Sequence, residues 1–244
     1  MSAGNGLSNS NAAVHKLIVA IDGPSGAGKS TIARYLAQHF GLLNLETGAM
    51  YRAFGLKALR ANCNLDDPQA LEALSAGTAI HLEAGDDGNR VFLDGEDVTM
   101  QLRNQTVSDA ASRVSVYPAI RAWMVRLQQQ MGENGGIVME GRDIGTVVFP
   151  NAEVKIFLDA APEVRGLRRY EQLGQAGRKP DVQPEEVIRE LRERDHRDRN
   201  RADSPLRPAP DSVLLDSTDM TLEEVVRAAA AIVESKLTSQ SASA

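Results

Sequence analysis

Apolar residues along this chain fall into two kinds of pattern. The first is the short uninterrupted run. Residues 16–22 (KLIVAID), 136–139 (GIVM), 154–158 (VKIFL) and 212–215 (SVLL) are short stretches of mainly branched or large aliphatic side chains. Runs of this kind predict strands buried on both faces. The second pattern is the helical period. Ile32, Leu36 and Phe40 recur four residues apart, and Gly41 stands where a helix stops. The stretch 118–131 opens on Pro118, which suits a first helical turn. The stretch 221–237 opens on Thr221 with Glu224 three residues on, a capping box. Strands alternating with helices predict an α/β fold with a parallel central sheet covered on both faces.

One region breaks the rhythm. Residues 78–84 and 90–94 alternate apolar and polar around the sequence GDDGN at 85–89, which predicts a β-hairpin. A small antiparallel insert is therefore expected at 66–105, interrupting a core formed by 16–65 and 106–237. The polar ends, 1–15 and 238–244, are expected to be disordered tails. The first lacks the apolar centre of a signal peptide. No run approaches the roughly 20 apolar residues of a membrane span.

Composition alters this picture only at the margins. The chain of 244 residues is 42% hydrophobic and 25% charged, as expected of a globular protein. A single cysteine, Cys63, rules out a disulfide within the chain and suits a cytoplasmic setting. A net charge of −6 argues against a nucleic-acid partner. The charge is uneven, however. Residues 165–207 carry 12 Lys and Arg against 9 Asp and Glu, while the remainder carries 15 against 24. Such a segment is either a solvated face laced with ion pairs or the wall of a site for an anion.

The candidate chemistry begins after the first strand. Gly23-Pro24-Ser25-Gly26-Ala27-Gly28-Lys29-Ser30 matches the P-loop pattern and opens a helix. Its glycines let successive N–H groups turn toward phosphate oxygens, and the helix N-terminus adds a positive dipole end. Lys29 is expected to reach the β- and γ-phosphates, Ser30 to ligate Mg²⁺, and Thr31 to hydrogen-bond a phosphate. The motif alone leaves open a GTPase, an ATP-driven motor, a small-molecule kinase or a nucleotide-binding module. The guanine-reading pattern Asn-Lys-x-Asp is missing.

Three further segments are dense in polar chemistry. ETGAMYR at 46–52 follows the first helix. EGRDIGT at 140–146 follows an apolar strand directly, where residues line the binding crevice of an open α/β sheet. On a predicted helix at 193–201 (ERDHRDRNR), Arg194, Asp198 and Arg201 are spaced to share one face. Two arginines flanking a carboxylate can bind a phosphate or a base carbonyl and a sugar hydroxyl, or form a plain ion-pair ladder. The four histidines, at 15, 39, 81 and 196, have no metal-ligand spacing. Asp22 and Asp159 end strands and are expected to be structural or to stand behind the site.

IDGPSGAGKST at 21–31, TGAMYR at 47–52, EGRDIGTVVFP at 140–150, VKIFLDA at 154–160 and ERDHRDRNR at 193–201 together resemble the bacterial cytidylate kinases, a family of nucleoside monophosphate kinases. The resemblance covers roughly residues 17–237. It implies a P-loop NTPase-type three-layer fold with a monophosphate-binding insert and a helical lid at about 166–184. It implies transfer of the γ-phosphate of ATP, with Mg²⁺, to CMP or dCMP, in pyrimidine nucleotide metabolism, by a cytoplasmic monomer. UMP or a small metabolite is the alternative acceptor. Carried over by residue, the base is read at Thr47, Arg121, Asp143 and Arg201, and the sugar is held at Ser112, Arg194 and Asp198. The acceptor phosphate is held at Arg52 and Arg142, and the lid contributes Arg168 and Arg169. Lys29, Arg142 and Arg169 are the catalytic expectations. Family members commonly carry Asp at the position of Glu46, and some at that of Glu140. Each glutamate keeps the charge and reaches one methylene further.

Overall fold

A computed structural model describes residues 16–85, 88–175 and 183–243. Its centre is a five-stranded parallel sheet of β1 (Ile18–Asp22), β2 (Leu43–Glu46), β6 (Ile137–Gly141), β7 (Val154–Asp159) and β8 (Val213–Asp216), in the order β2-β6-β1-β7-β8. Strand side chains alternate between faces, so the central strands β1 and β6 each feed two cores. Val19 and Ile21 of β1 join Val138, Val154, Ile156 and Leu158 beneath α1 (Lys29–Phe40) and the last helix, α8 (Leu222–Ser243). Ala20 instead joins Leu45, Ile137 and Met139 under α2 (Thr47–Arg60) and α5 (Pro118–Met131). The three layers expected from the pattern are present. Trp123 of α5 packs edge-on against Phe54 at 5.1 Å between ring centres in the second core.

The antiparallel insert is present too. After α3 (Pro68–Ala76) come β3 (Ile80–Gly85), β4 (Gly88–Leu93) and a third strand, β5 (Glu96–Asp97), before α4 (Gln105–Val114). The β3–β4 register pairs Ile80 with Leu93 and Gly85 with Gly88. Besides the ion pairs Lys57–Asp94 and Arg60–Glu96, one side chain ties the insert to the edge of the central sheet. Asn89 of β4 donates its amide N–H to Asn44 O at 2.8 Å and accepts from Glu46 N at 3.0 Å. These two backbone groups lie on the outer edge of β2, so a side-chain amide stands in for a neighbouring strand.

Helices α6 (Pro162–Gln175) and α7 (Pro184–Asn200) flank the segment expected to be a lid, whose stretch 176–182 lies outside the described residues. The expected tail 1–15 also lies outside them.

Three expectations are corrected. First, the run 212–215 is not buried on both faces. β8 is the sheet's edge, Leu214 is 67% exposed, and only Leu215 packs on the core beneath α8. An apolar run carries no sign of whether it is central or terminal in a sheet. Second, α8 continues through Ser243 rather than giving way to a loose tail at 238. Thr238 Oγ1 donates to Glu234 O at 2.9 Å, so the polar side chain bonds back along the helix instead of ending it. Third, α7 ends at Asn200, and Arg201 is extended, with φ −65° and ψ 143°. It meets Asp198 from the cap rather than from the helix face.

Candidate active site

The C-terminal ends of β1, β2 and β6 open into one cleft of about 1280 Å³. Every predicted site residue lines it except Gly23 and Pro24. Those two shape the loop from below. Gly23 has φ +151°, and a Cβ there would lie 1.9 Å from Leu158 O on β7, so only glycine lets the loop run this close to the sheet. Pro24 O accepts from Lys29 Nζ at 2.7 Å.

On the P-loop side, α1 begins at Lys29 with Gly28 as a left-handed cap at φ 97°. The helix's first N–H groups therefore face the cleft beside Ser25, Gly26, Ala27, Ser30 and Thr31. Lys29 is 5% exposed. Burial, reinforced by Arg142 and Arg194, lowers its pKa to about 7, against the pull of Glu140, whose Oε2 is 4.0 Å away. Ser30 Oγ donates to Glu140 Oε1 at 3.1 Å. Glu140 and Glu46 are register partners on β6 and β2. Burial and the Glu140 charge both push the Glu46 carboxyl upward. A hydroxyl and two carboxylates are hard oxygen donors of the kind Mg²⁺ accepts while it keeps several waters. No cluster of three acidic, His or Cys ligands exists among the described residues.

The opposite wall is made of guanidinium groups and carboxylates. Arg142 donates Nε–H to Asp198 at 2.9 Å and Nη1–H to Gly141 O at 3.2 Å. Burial disfavours its charge, but Asp198, Glu140 and Asp195 outweigh this and raise its pKa. Asp198 is buried, yet Arg142, Arg194 and Arg201 hold its pKa below the usual carboxylate value. Arg194 is lowered to about 10 by burial and by Arg142. Arg52 approaches Glu46 at 3.6 Å. Arg169, from α6, has its pKa lowered by burial and by Arg52. These are like charges gathered in one cleft, an arrangement that calls for an anion.

A second cluster sits deeper. Asp143 accepts from Arg121 Nη2 at 2.5 Å, and Arg121 Nη1 donates to Ser115 O at 3.1 Å. Thr47 Oγ1 donates to Glu140 O at 2.8 Å, leaving its lone pairs as acceptors. A Cβ at Gly141 would come within 2.8 Å of that hydroxyl, which is why the β6 terminus needs glycine. Tyr51 lies under Arg121, and burial pushes its phenol up to about 12. Among the described residues, three buried guanidinium nitrogens lack a partner: Arg121 Nε, Arg194 Nε and Arg201 Nη2. Buried donors are ordinarily satisfied, so these stand ready for a ligand.

Arg168 stands differently from Arg169. Its guanidinium donates to Ser217 Oγ at 3.2 Å and Ser217 O at 2.9 Å, anchoring α6 to the loop after β8. Ser112 is half-buried on α4, at the cleft wall.

Sequence reasoning missed Arg165 and Asp195. Arg165 is 1% exposed, whereas Leu167 two residues on is 49% exposed, the reverse of what hydrophobicity predicts. Its guanidinium donates to Asp195, to Ala160 O at 2.8 Å and to Ser25 O at 2.8 Å in the P-loop. It fastens both helices that flank 176–182 to the P-loop. No local pattern announces this, since the three partners are far apart in sequence. Gln105, Ser108 and Asp109 of α4 also line the cleft and were missed, because a polar helix face looks like a solvent face.

A family model described as cytidylate kinase matches residues 19–235. The cytidylate kinase of Pelotomaculum thermopropionicum is 51% identical over 86% of this chain and 92% of its own length. That of Solibacter usitatus is 48% identical over 91% and 94%. That of Pasteurella multocida is 43% identical over 91% and 97%.

Proposed function

The chain belongs to the cytidylate kinase family, and from that premise we propose that its cleft transfers the γ-phosphoryl group of ATP to CMP or dCMP, giving CDP or dCDP. One observation supports the assignment of sites: the P-loop faces a wall of buried guanidinium groups, three of whose nitrogens have no partner among the described residues.

ATP lies with its phosphates along residues 23–31, with Lys29 at the β- and γ-phosphates. Ser30, with Glu46 and Glu140 behind it, would hold Mg²⁺, which neutralises phosphate charge when bound with ATP. Arg168, anchored beside Ser217, flanks the nucleotide at the outer end. CMP lies opposite. Arg52 and Arg142 take its phosphate, while Ser112, Arg194 and Asp198 take its sugar. Asp198 also accepts from Arg142, so sugar and phosphate are registered to each other by one carboxylate.

The base meets Thr47, Arg121, Asp143 and Arg201. Cytosine offers an amino donor at N4 and acceptors at N3 and O2. Asp143 accepts from the amino group, and guanidinium groups donate to the acceptors. Uracil would set a carbonyl against the Asp143 carboxylate, leaving buried polar groups unpaired, a strong basis for rejection.

The acceptor phosphate oxygen is ionised at neutral pH and attacks the γ-phosphorus in line, so no general base is needed. The work is positioning and charge stabilisation. Lys29, Arg142 and Arg169 converge on the transferring group. Residues 166–184 act as a lid that excludes water, and 66–105 as the acceptor-side insert. No helix among the described residues is long and apolar enough to cross a membrane. We propose a cytoplasmic, monomeric enzyme.

The test is ADP release from ATP–Mg²⁺ with CMP, dCMP, UMP and AMP in turn. CMP- and dCMP-dependent release is expected. Release that is equal with UMP, or independent of any acceptor, would refute the assignment.

A further inference from the structure

The carboxylate that closes β1 has no role above. Asp22 is 5% exposed, immediately precedes the P-loop and does not line the cleft. It stands between Gly141 of β6 and Phe157 of β7 in the register, at the middle of the sheet's C-terminal end. Its two oxygens accept from two successive backbone N–H groups. Ile144 N reaches Oδ1 at 2.8 Å, and Gly145 N reaches Oδ2 at 2.7 Å.

Those N–H groups open the single wide helical turn Ile144–Val148 that follows Arg142 and Asp143. Within the turn, bonds run from Val148 N to Asp143 O at 3.2 Å and from Phe149 N to Ile144 O at 2.7 Å. The first N–H groups of any helical turn have no partner inside it. Here both are taken by one carboxylate from another strand, which acts as a cap across the sheet. Asp143 immediately precedes the capped residues, so the direction of its side chain depends on where the turn is held.

The charged groups around Asp22 are few. Asp143 and Lys29 act on it from the turn and from α1, and the Lys155 side chain from β7 packs on Gly145. Burial raises its pKa to about 7, opposed by the Gly145 and Ile144 bonds. A carboxylate kept at that cost, out of reach of substrate, is explained by what it holds.

We infer that Asp22 is a positioning residue for acceptor recognition: it pins the turn that follows Arg142 and Asp143 to the base of the P-loop, and so fixes cytosine selectivity from the donor side of the cleft. The inference rests on the proposed function, because selectivity is assigned to Asp143.

The test compares the full-length chain with Asp22→Asn, which keeps the shape but turns an amino group toward a backbone N–H. Affinities for CMP, UMP and a non-hydrolysable ATP analogue are measured by calorimetry alongside thermal midpoints. The expected result is a loss of CMP affinity of about tenfold or more and a fall of similar size in the CMP-over-UMP ratio, with ATP-analogue affinity changed less than about threefold. In an Asp143→Ala background the substitution should leave the CMP-over-UMP ratio where it already is. Parallel losses for CMP and ATP, or an unchanged ratio, would overturn the inference. If Asp22→Asn does not fold, Gly145→Ala probes the same contact from the other partner. Its Cβ would meet Lys155 Cδ at 3.2 Å and Asp22 Oδ2 at 3.4 Å, and the same split is expected. If the unaltered chain shows no preference for CMP, the proposed function fails instead.

Discussion

The two walls of the cleft are built by opposite means. The donor side is one contiguous stretch whose groups are mostly backbone N–H, shaped by glycines and by the start of α1. The acceptor side is side chain throughout and drawn from α2, α4, α5, the β6 turn and α7. A backbone cradle tolerates any nucleoside triphosphate that presents phosphates in the right place. A side-chain wall can oppose individual donors and acceptors on a base. On the proposed assignment, generality and selectivity are separated in space, and they meet where Arg142 and Lys29 face each other.

That meeting point is where substitution should cost most. On the proposed mechanism, Lys29→Ala and Arg142→Ala each remove a charge that stabilises the transferring group, and turnover is expected to fall by about 10³-fold or more with the fold retained. Steady-state kinetics with circular dichroism as a control would check it, and a near-normal kcat in either variant removes that residue from the mechanism. Selectivity comes next. Asp143→Ala should raise KM for CMP by roughly 10²-fold and erase preference over UMP, with KM for ATP hardly moved. An unchanged KM for CMP would place base reading elsewhere.

The smallest expected effect concerns protons on the donor side. Lys29 has a pKa of about 7 in the empty cleft. Phosphate oxygens beside it favour the charged form, so ATP binding should take up part of a proton near pH 7 and above. The sign follows: the complex binds more protons than the free protein, so ATP affinity falls as pH rises from about 7, by at most tenfold per pH unit. In the free protein the same depressed pKa works the other way. The unfolded chain holds the Lys29 proton up to the ordinary value of 10.5, so this group's contribution to stability rises with pH between about 7 and that value. Calorimetry in two buffers of different ionisation enthalpy measures the uptake. Its persistence in Lys29→Ala would assign the proton to another group.

The same contrast explains what was legible beforehand. The P-loop, the alternation of strands and helices and the hairpin could be read from local patterns because their causes are local: glycine φ, strand period, turn residues. The residues proposed for the acceptor were placed by resemblance, since nothing near Thr47 or Arg121 announces that they line one cleft with Asp143. Arg165 escaped both routes. Its burial depends on Asp195 and on Ser25 O, partners that only the folded chain supplies. β8 was misjudged for a related reason, because position within a sheet is a property of the whole topology.

The amide of Asn89 has a consequence beyond holding the insert. An uncovered strand edge is a template on which another chain can add a strand, the usual first step of sheet-to-sheet aggregation. On β2 the two edge groups are masked by a single residue that belongs to a different sheet. The mask is therefore only as durable as the hairpin. If the insert opens locally while the core stays folded, β2 is bared with it, and that edge becomes open to strand addition without global unfolding.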